Sequence, residues 1–123
     1  NTILYTDHFL AQAIQWLKKS ESQSATAMLY VSDHGESLGE NNLYLHGLPY
    51  RVAPDVQKRV PWITWWSPTF EKQTGLQRAC LKNKTETPLT HDNYFHSVLG
   101  LMGVSTEVYQ AKLDVHADCR SKL

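Results

Sequence analysis

A chain of 123 residues holds one compact domain and leaves no room for two. Its twelve basic and twelve acidic residues cancel, which excludes the basic stripe of a nucleic-acid binder, and 41% apolar content is that of an ordinary globular fold. No apolar run approaches the roughly 20 residues that cross a bilayer, no secretory leader is visible, and the chain opens as though already inside a helix, so it reads as a piece of a longer protein.

From Thr2 to Ser20 the spacing predicts an amphipathic helix. Leu10, Ile14 and Leu17 recur at i, i+4 and i+7, widened by Phe9 and Ala13, while Gln12, Gln15, Lys18 and Lys19 face outward. The two lysines suit the negative end of the helix dipole. Ser20 to Ser24 is a polar connector. Ala25 to Ser32 is a near-continuous apolar run, the pattern of a strand covered on both faces in a parallel sheet. It stops at Asp33-His34-Gly35, and a Gly/Asn-rich loop from Glu36 to Leu45 leads to His46. Gly47-Leu48-Pro49 marks a turn, and Ala53-Pro54-Asp55 begins another irregular piece. Val60 to Trp66 predicts a second strand, with Pro61 confined to its start or an edge and Pro68 ending it. Residues 69–89, polar and rich in lysine and threonine, read as a surface excursion. Thr90 then caps a helix from Asp92 to Met102, with Phe95, Val98, Leu99 and Met102 on one face and Gly103 as its stop.

Cys80 and Cys119 match no zinc-ribbon spacing. They are either two buried thiols or one disulfide. The polar surroundings of Cys119 offer a free thiol no core, which favours a bridge and an oxidising compartment. Closing such a loop contributes about 4 kcal/mol.

Asp33-His34 is the best clue to chemistry. Carboxylate oxygen and imidazole nitrogen both ligate a borderline cation such as zinc, and the carboxyl end of a strand is where open α/β sheets build active sites. Adjacent strand residues point to opposite faces, so both reach one ion only if the strand ends at Asp33 and the chain turns. Gly35 would supply that freedom. His46 is a third candidate; two ligands alone are not a zinc site, since zinc usually takes three or four from protein. Gly35-Glu36-Ser37-Leu38-Gly39 also matches the G-x-S-x-G elbow of serine hydrolases, but Gly39-Glu40-Asn41-Asn42 is a poor helix start. His8, His91, His96 and His116 read as structural or exposed. Trp62, Trp65 and Trp66 are either strand packing or an aromatic patch facing lipid.

The run Tyr30-Val31-Ser32-Asp33-His34-Gly35-Glu36-Ser37-Leu38-Gly39-Glu40-Asn41, followed by Tyr44-Leu45-His46-Gly47, resembles the signature of the bacterial phosphoethanolamine transferases that modify lipid A. These include the mobile colistin-resistance enzymes and belong to the alkaline-phosphatase/sulfatase superfamily. The likeness extends to Ile3-Leu4-Tyr5-Thr6-Asp7, Ala53-Pro54, Val60-Pro61 and Thr90-His91-Asp92-Asn93, nearly the whole chain.

That resemblance implies an α/β fold: the C-terminal part of a sandwich with a mostly parallel central sheet flanked by helices, residues 1–123 being one incomplete domain. It implies that Asp33 and His34 are ligands of a catalytic Zn2+ and that His46 lies beside the transferred phosphoryl group. A threonine would be the nucleophile, taking phosphoethanolamine from phosphatidylethanolamine and passing it to a lipid A phosphate in two half-reactions. No threonine or acid of this chain sits in the family's context for the nucleophile or the missing glutamate ligand. Both, like the membrane anchor, are expected before Asn1, so the chain's partners are the rest of its own domain and the two lipids. The implied location is the periplasmic face of the bacterial inner membrane, where the cysteine bridge fits. A sulfatase or phosphatase of the same superfamily is the nearest alternative, and a non-catalytic metal-binding module the next.

Overall fold

The stripe at Leu10, Ile14 and Leu17 does form a helix: in the computed structural model, which describes residues 2–121, α1 runs Thr2–Ser20 with Lys18 and Lys19 in its last turn. Its burial is thinner than the spacing suggests. Leu10 is buried and Ala13, Ile14 and Leu17 half-buried, but Phe9 is exposed, as are Ile3, Leu4, Tyr5 and Trp16. The two predicted strands appear as β1 (Ala27–Val31) and β4 (Trp62–Trp66), paired in a two-stranded sheet. Pro61 lies just outside β4, where its missing N–H costs the ladder nothing. Helices accompanied by a small sheet give the α/β character the sequence called for.

The chain divides into two compact units, residues 1–28 with 64–123, and residues 29–63. In the first, Trp66, Leu76 and Cys119 form the core, and Ala27, Phe70, Cys80, Leu81 and Leu101 pack on it. Residues 69–89 are not the surface excursion expected. They hold α3 (Pro68–Thr74) and α4 (Arg78–Lys82), with Leu76 only 1% exposed between them. Pro68 starts a helix instead of ending a strand, because a proline at the first helical position has no N–H to lose. Ser67 is the cap: its buried hydroxyl accepts from Phe70 N–H and from Thr26 N–H, both at 3.2 Å. Gly75, at φ 67°, takes the left-handed turn that stops α3.

A disulfide joins Cys80 on α4 to Cys119, with Cα atoms 5.5 Å apart. Gln77 N–H donates to Cys119 O at 2.8 Å beside it. Trp66 is buried, donates through Nε1 to Glu71 Oε2 at 3.0 Å and lies under the Arg78 guanidinium. Trp62 and Trp65 are half-buried, so the tryptophans serve strand packing rather than an exposed patch.

The last helix, α5 (His91–Leu101), begins after Thr90, whose N–H donates to Asn93 Oδ1 at 2.9 Å. Its buried face is only in part the apolar one expected, with Val98 and Leu99 half-buried. Phe95 and Met102 are exposed, and His96, Ser97 and Gly100 are buried instead. These three receive the C-terminal segment: Gln110 N–H donates to His96 Nδ1 (3.1 Å) and Val115 N–H to Ser97 Oγ (3.0 Å). A Cβ on Gly100 would overlap Asp114 Oδ2. That carboxylate accepts from Tyr109 OH and from His116 N–H, each at 2.8 Å. Burial pushes the Asp114 carboxyl up, but the His116 and Tyr109 contacts outweigh it and hold it below the ordinary value of 3.8.

The second unit carries a hairpin within the Gly/Asn-rich loop. β2 (Ser37–Leu38) pairs antiparallel with β3 (Tyr44–Leu45), in the register Ser37 to Leu45 and Leu38 to Tyr44. A 3-10 turn at Glu40–Asn42 connects them, and α2 (Asp55–Lys58) follows.

Candidate metal centre

The loop after β1 is held by short-range hydrogen bonds. Ser32 Oγ donates to His34 O at 2.8 Å, and Asp33 Oδ1 accepts from His34 N–H at 3.0 Å. That N–H, and after it the charge of the His34 ring, holds the Asp33 carboxyl below its ordinary value. Gly35 N–H donates to Gln57 O at 3.0 Å. The reason for a glycine here differs from the one expected. Gly35 does not take a left-handed backbone; a Cβ at this position would overlap the Val56 carbonyl oxygen. Space, not turning freedom, requires it.

His34 Nδ1 lies 2.9 Å from Gly35 O. A carbonyl only accepts, so Nδ1 is the donor in this contact and Nε2 is the ring nitrogen left for a metal ion. His34 Nε2 is 3.7 Å from Asp33 Oδ2. The His34 and His46 rings stack with centroids 3.8 Å apart, and His46 Nδ1 is 3.0 Å from Glu36 Oε2. Asp33, His34 and His46, singled out from the sequence, thus occupy one exposed cluster. Glu36 joins it: His34, Glu36 and His46 each offer a ligand atom within 4.8 Å of the others. Sequence reasoning passed Glu36 over, although an acid two residues after one imidazole and ten before another was the available signal.

Two imidazoles and one carboxylate, those of His34, His46 and Glu36, make an N/O donor set that zinc accepts; Asp33, expected from the sequence as a ligand, is outside this group of three and meets it through His34. Donors about 2.1 Å from a tetrahedral ion are ~3.4 Å apart, so atoms within 4.8 Å need only small side-chain rotations to converge. The residues present fit the ion.

Positive φ values cluster around His46: Gly39, Asn41, Asn42 and Leu45 before it and Gly47 after it, of which Leu45 (66°) is the least suited and carries strain. A cavity of about 240 Å³ opens beside the cluster, lined among others by His34, His46, Leu48, Tyr50, Gln57 and Lys58. Lys58 Nζ sits 5.3 Å from the centre of the Tyr50 ring.

Ser37 is no nucleophile elbow. It lies in β2, is 1% exposed, and its hydroxyl accepts from Gln57 Nε2 at 2.8 Å. His8 and His91 are exposed on α1 and α5, while His96 and His116 are buried in the packing of α5 and the C-terminal segment.

Comparison with known proteins shows the family. A family profile described as Sulfatase matches residues 1–104. Over 121 residues, 98% of the chain, the sequence is 46% identical to phosphoethanolamine transferase EptA of Salmonella typhimurium, and covers 22% of that protein. Phosphatidylethanolamine transferase Mcr-1 of Escherichia coli is 46% identical over 107 residues, 87% of this chain and 18% of its own. Two structures of lipooligosaccharide phosphoethanolamine transferase A from Neisseria meningitidis, its soluble domain and the integral membrane protein, superpose with a TM-score of 0.93 at 42% identity. They cover 98% of this chain, which spans 36% and 23% of theirs. The chain thus spans about a fifth of the length of the curated relatives it matches.

Proposed function

Because the chain belongs to the sulfatase family, we propose that its Asp33–Gly47 loop is part of the catalytic centre of a zinc-dependent phosphoethanolamine transferase. The donor is phosphatidylethanolamine and the acceptor a lipid A phosphate. Asp33 and His34 hold the zinc, and His46 stands beside the phosphoryl group in transfer. The observation that carries this reading is the arrangement of His34. Its Nδ1 is tied to Gly35 O at 2.9 Å, and its free Nε2 lies 3.7 Å from Asp33 Oδ2, with His46 stacked alongside.

Zinc, when bound, supplies positive charge against the oxygen charge that develops in phosphoryl transfer. The protein's own groups do the rest. Glu36 accepts from His46 Nδ1–H and so fixes the ring; a hydrogen bond from His46 to a phosphoryl oxygen requires Nε2 to carry a proton as well. Lys58 adds positive charge at the cavity, and the exposed Tyr50 and Leu48 on its lining offer an apolar rim to a lipid head. The nucleophilic threonine and a further glutamate ligand belong to the rest of the enzyme.

The disulfide supports a periplasmic location at the inner membrane. No helix among the described residues is long and apolar enough to cross a membrane, so the anchor too is assigned to the rest of the protein. Adding an ammonium group to lipid A lowers its negative charge, which weakens attraction of cationic polymyxins such as colistin.

The test uses the full-length enzyme. Asp33→Ala and His34→Ala should each abolish zinc retention and transfer to lipid A, and His46→Ala should abolish transfer while zinc is retained. Undiminished transfer with Asp33→Ala or His34→Ala overturns the assignment. Release of free phosphoethanolamine to water, with none on lipid A, would instead identify a hydrolase.

A further inference from the structure

Gln57 sits on α2, outside the loop that bears the candidate ligands, and is only 7% exposed. It nevertheless reaches that loop at three points. Its backbone carbonyl accepts from Gly35 N–H at 3.0 Å. Its side-chain Nε2 donates to Ser37 Oγ at 2.8 Å and to Leu45 O at 3.1 Å. Each anchor is covalently next to a member of the cluster: Gly35 lies between His34 and Glu36, Ser37 follows Glu36, and Leu45 precedes His46.

We propose that Gln57 is a positioning residue that holds His34, Glu36 and His46 in register with one another. Ser37 and Leu45 face each other across the β2–β3 pair, so one amide group clasps both strands of the hairpin. A two-residue ladder is too short to hold itself in water. Leu45 adds a demand of its own, since its left-handed backbone persists only where the surroundings enforce it. A bond to the Leu45 carbonyl fixes the peptide plane that leads into His46.

Packing alone does not explain the residue. Gln57 Oε1 is buried with no hydrogen-bond partner, a cost that an apolar side chain of the same length would avoid. Its two N–H groups are what the site uses.

This proposal rests on the functional reading above. It is tested in the full-length enzyme by Gln57→Met, which keeps length and removes the donors, by Gln57→Glu, and by Ser37→Ala, which removes one of the two side-chain bonds. Zinc retention is read by competition with a chelator, alongside kcat and KM for transfer. Both Gln57 variants keep the backbone bond to Gly35 and lose the two side-chain bonds beside Glu36 and His46, so Gln57→Met and Gln57→Glu should each lower kcat about tenfold, with KM within about twofold and zinc retained. Ser37→Ala should lower kcat by about threefold with zinc retained. Wild-type kcat in folded Gln57→Met, with any loss confined to Tm, overturns the proposal. If that variant does not fold, an unaffected Ser37→Ala overturns it just as well. A wild-type enzyme that retains no zinc overturns the functional reading and this proposal together, whereas a zinc-retaining wild type beside unaffected variants overturns this one alone.

Discussion

Replacing Gly35 with alanine places a Cβ over the Val56 carbonyl oxygen, 2.9 Å from Val56 C and 3.2 Å from Gln57 Cα. All three are main-chain atoms, so no rotamer change relieves the overlap and α2 or the loop must move. Moving either breaks the 3.0 Å bond from Gly35 N–H to Gln57 O. Losing that bond with its donor half-buried costs about 1–3 kcal/mol, and forcing extra volume into a packed contact about 1–3 more. Alanine stiffens the unfolded chain and returns about 0.4–1 kcal/mol, because Gly35 is not left-handed. The net expectation is a loss of about 1–6 kcal/mol. Urea unfolding of the full-length enzyme, followed by tryptophan fluorescence, measures it, and zinc retention should fall in the same variant. Gly103→Ala is the control: nothing lies within 4 Å of its Cβ, and its φ of 65° predicts only about 1 kcal/mol of backbone strain. A Gly35→Ala protein no less stable than Gly103→Ala would refute the steric argument.

Other outcomes follow from the first unit. Replacing Cys80 and Cys119 together by serine frees the 39-residue separation and should cost about 4 kcal/mol, and reductant should lower the Tm of the wild type but not of the double variant. Burial, and then the hydrogen bond to Asp114, raise the Tyr109 phenol from 10.0 to about 12. The raised value means that folding favours the neutral phenol, so its stabilisation is complete below about pH 10 and is lost as pH rises towards 12. Absorbance titration of the wild type against Tyr109→Phe should isolate one tyrosine ionising near pH 12; ionisation near pH 10 would contradict the pairing.

Where one period dominates, the sequence was a good guide. The i, i+4, i+7 stripe gave α1 its bounds, and the apolar runs gave β1 and β4. Misreadings arose where local chemistry outweighs pattern. Pro68 reads in the sequence as a stop, but with Ser67 before it the pair is a cap and a first helical residue. The hairpin escaped notice because two-residue strands carry no periodicity and its positive φ values fall on Asn and Leu as well as Gly. On α5 the buried face is polar, and hydropathy cannot tell a buried histidine that accepts from Gln110 N–H from an exposed one. At the site, strand end, imidazole and glycine coincide in sequence and single out Asp33, His34 and His46; the structure brings His34 and His46 into ring contact and adds Glu36 to them. Gln57 was not legible, since its role depends on contacts 12 and 20 residues away.

The outward-facing apolar residues of α1 have a practical consequence. Ile3, Leu4, Tyr5, Phe9 and Trp16 are each more than half exposed on one 19-residue helix. The formal charge of the chain is zero and its isoelectric point about 7.2, so no long-range repulsion keeps two copies apart at neutral pH. Handled by itself, this stretch is expected to be least soluble near its isoelectric point, close to physiological pH. Buffers well away from neutrality, or co-expression with the remainder of its enzyme, are the conditions under which it stays dispersed.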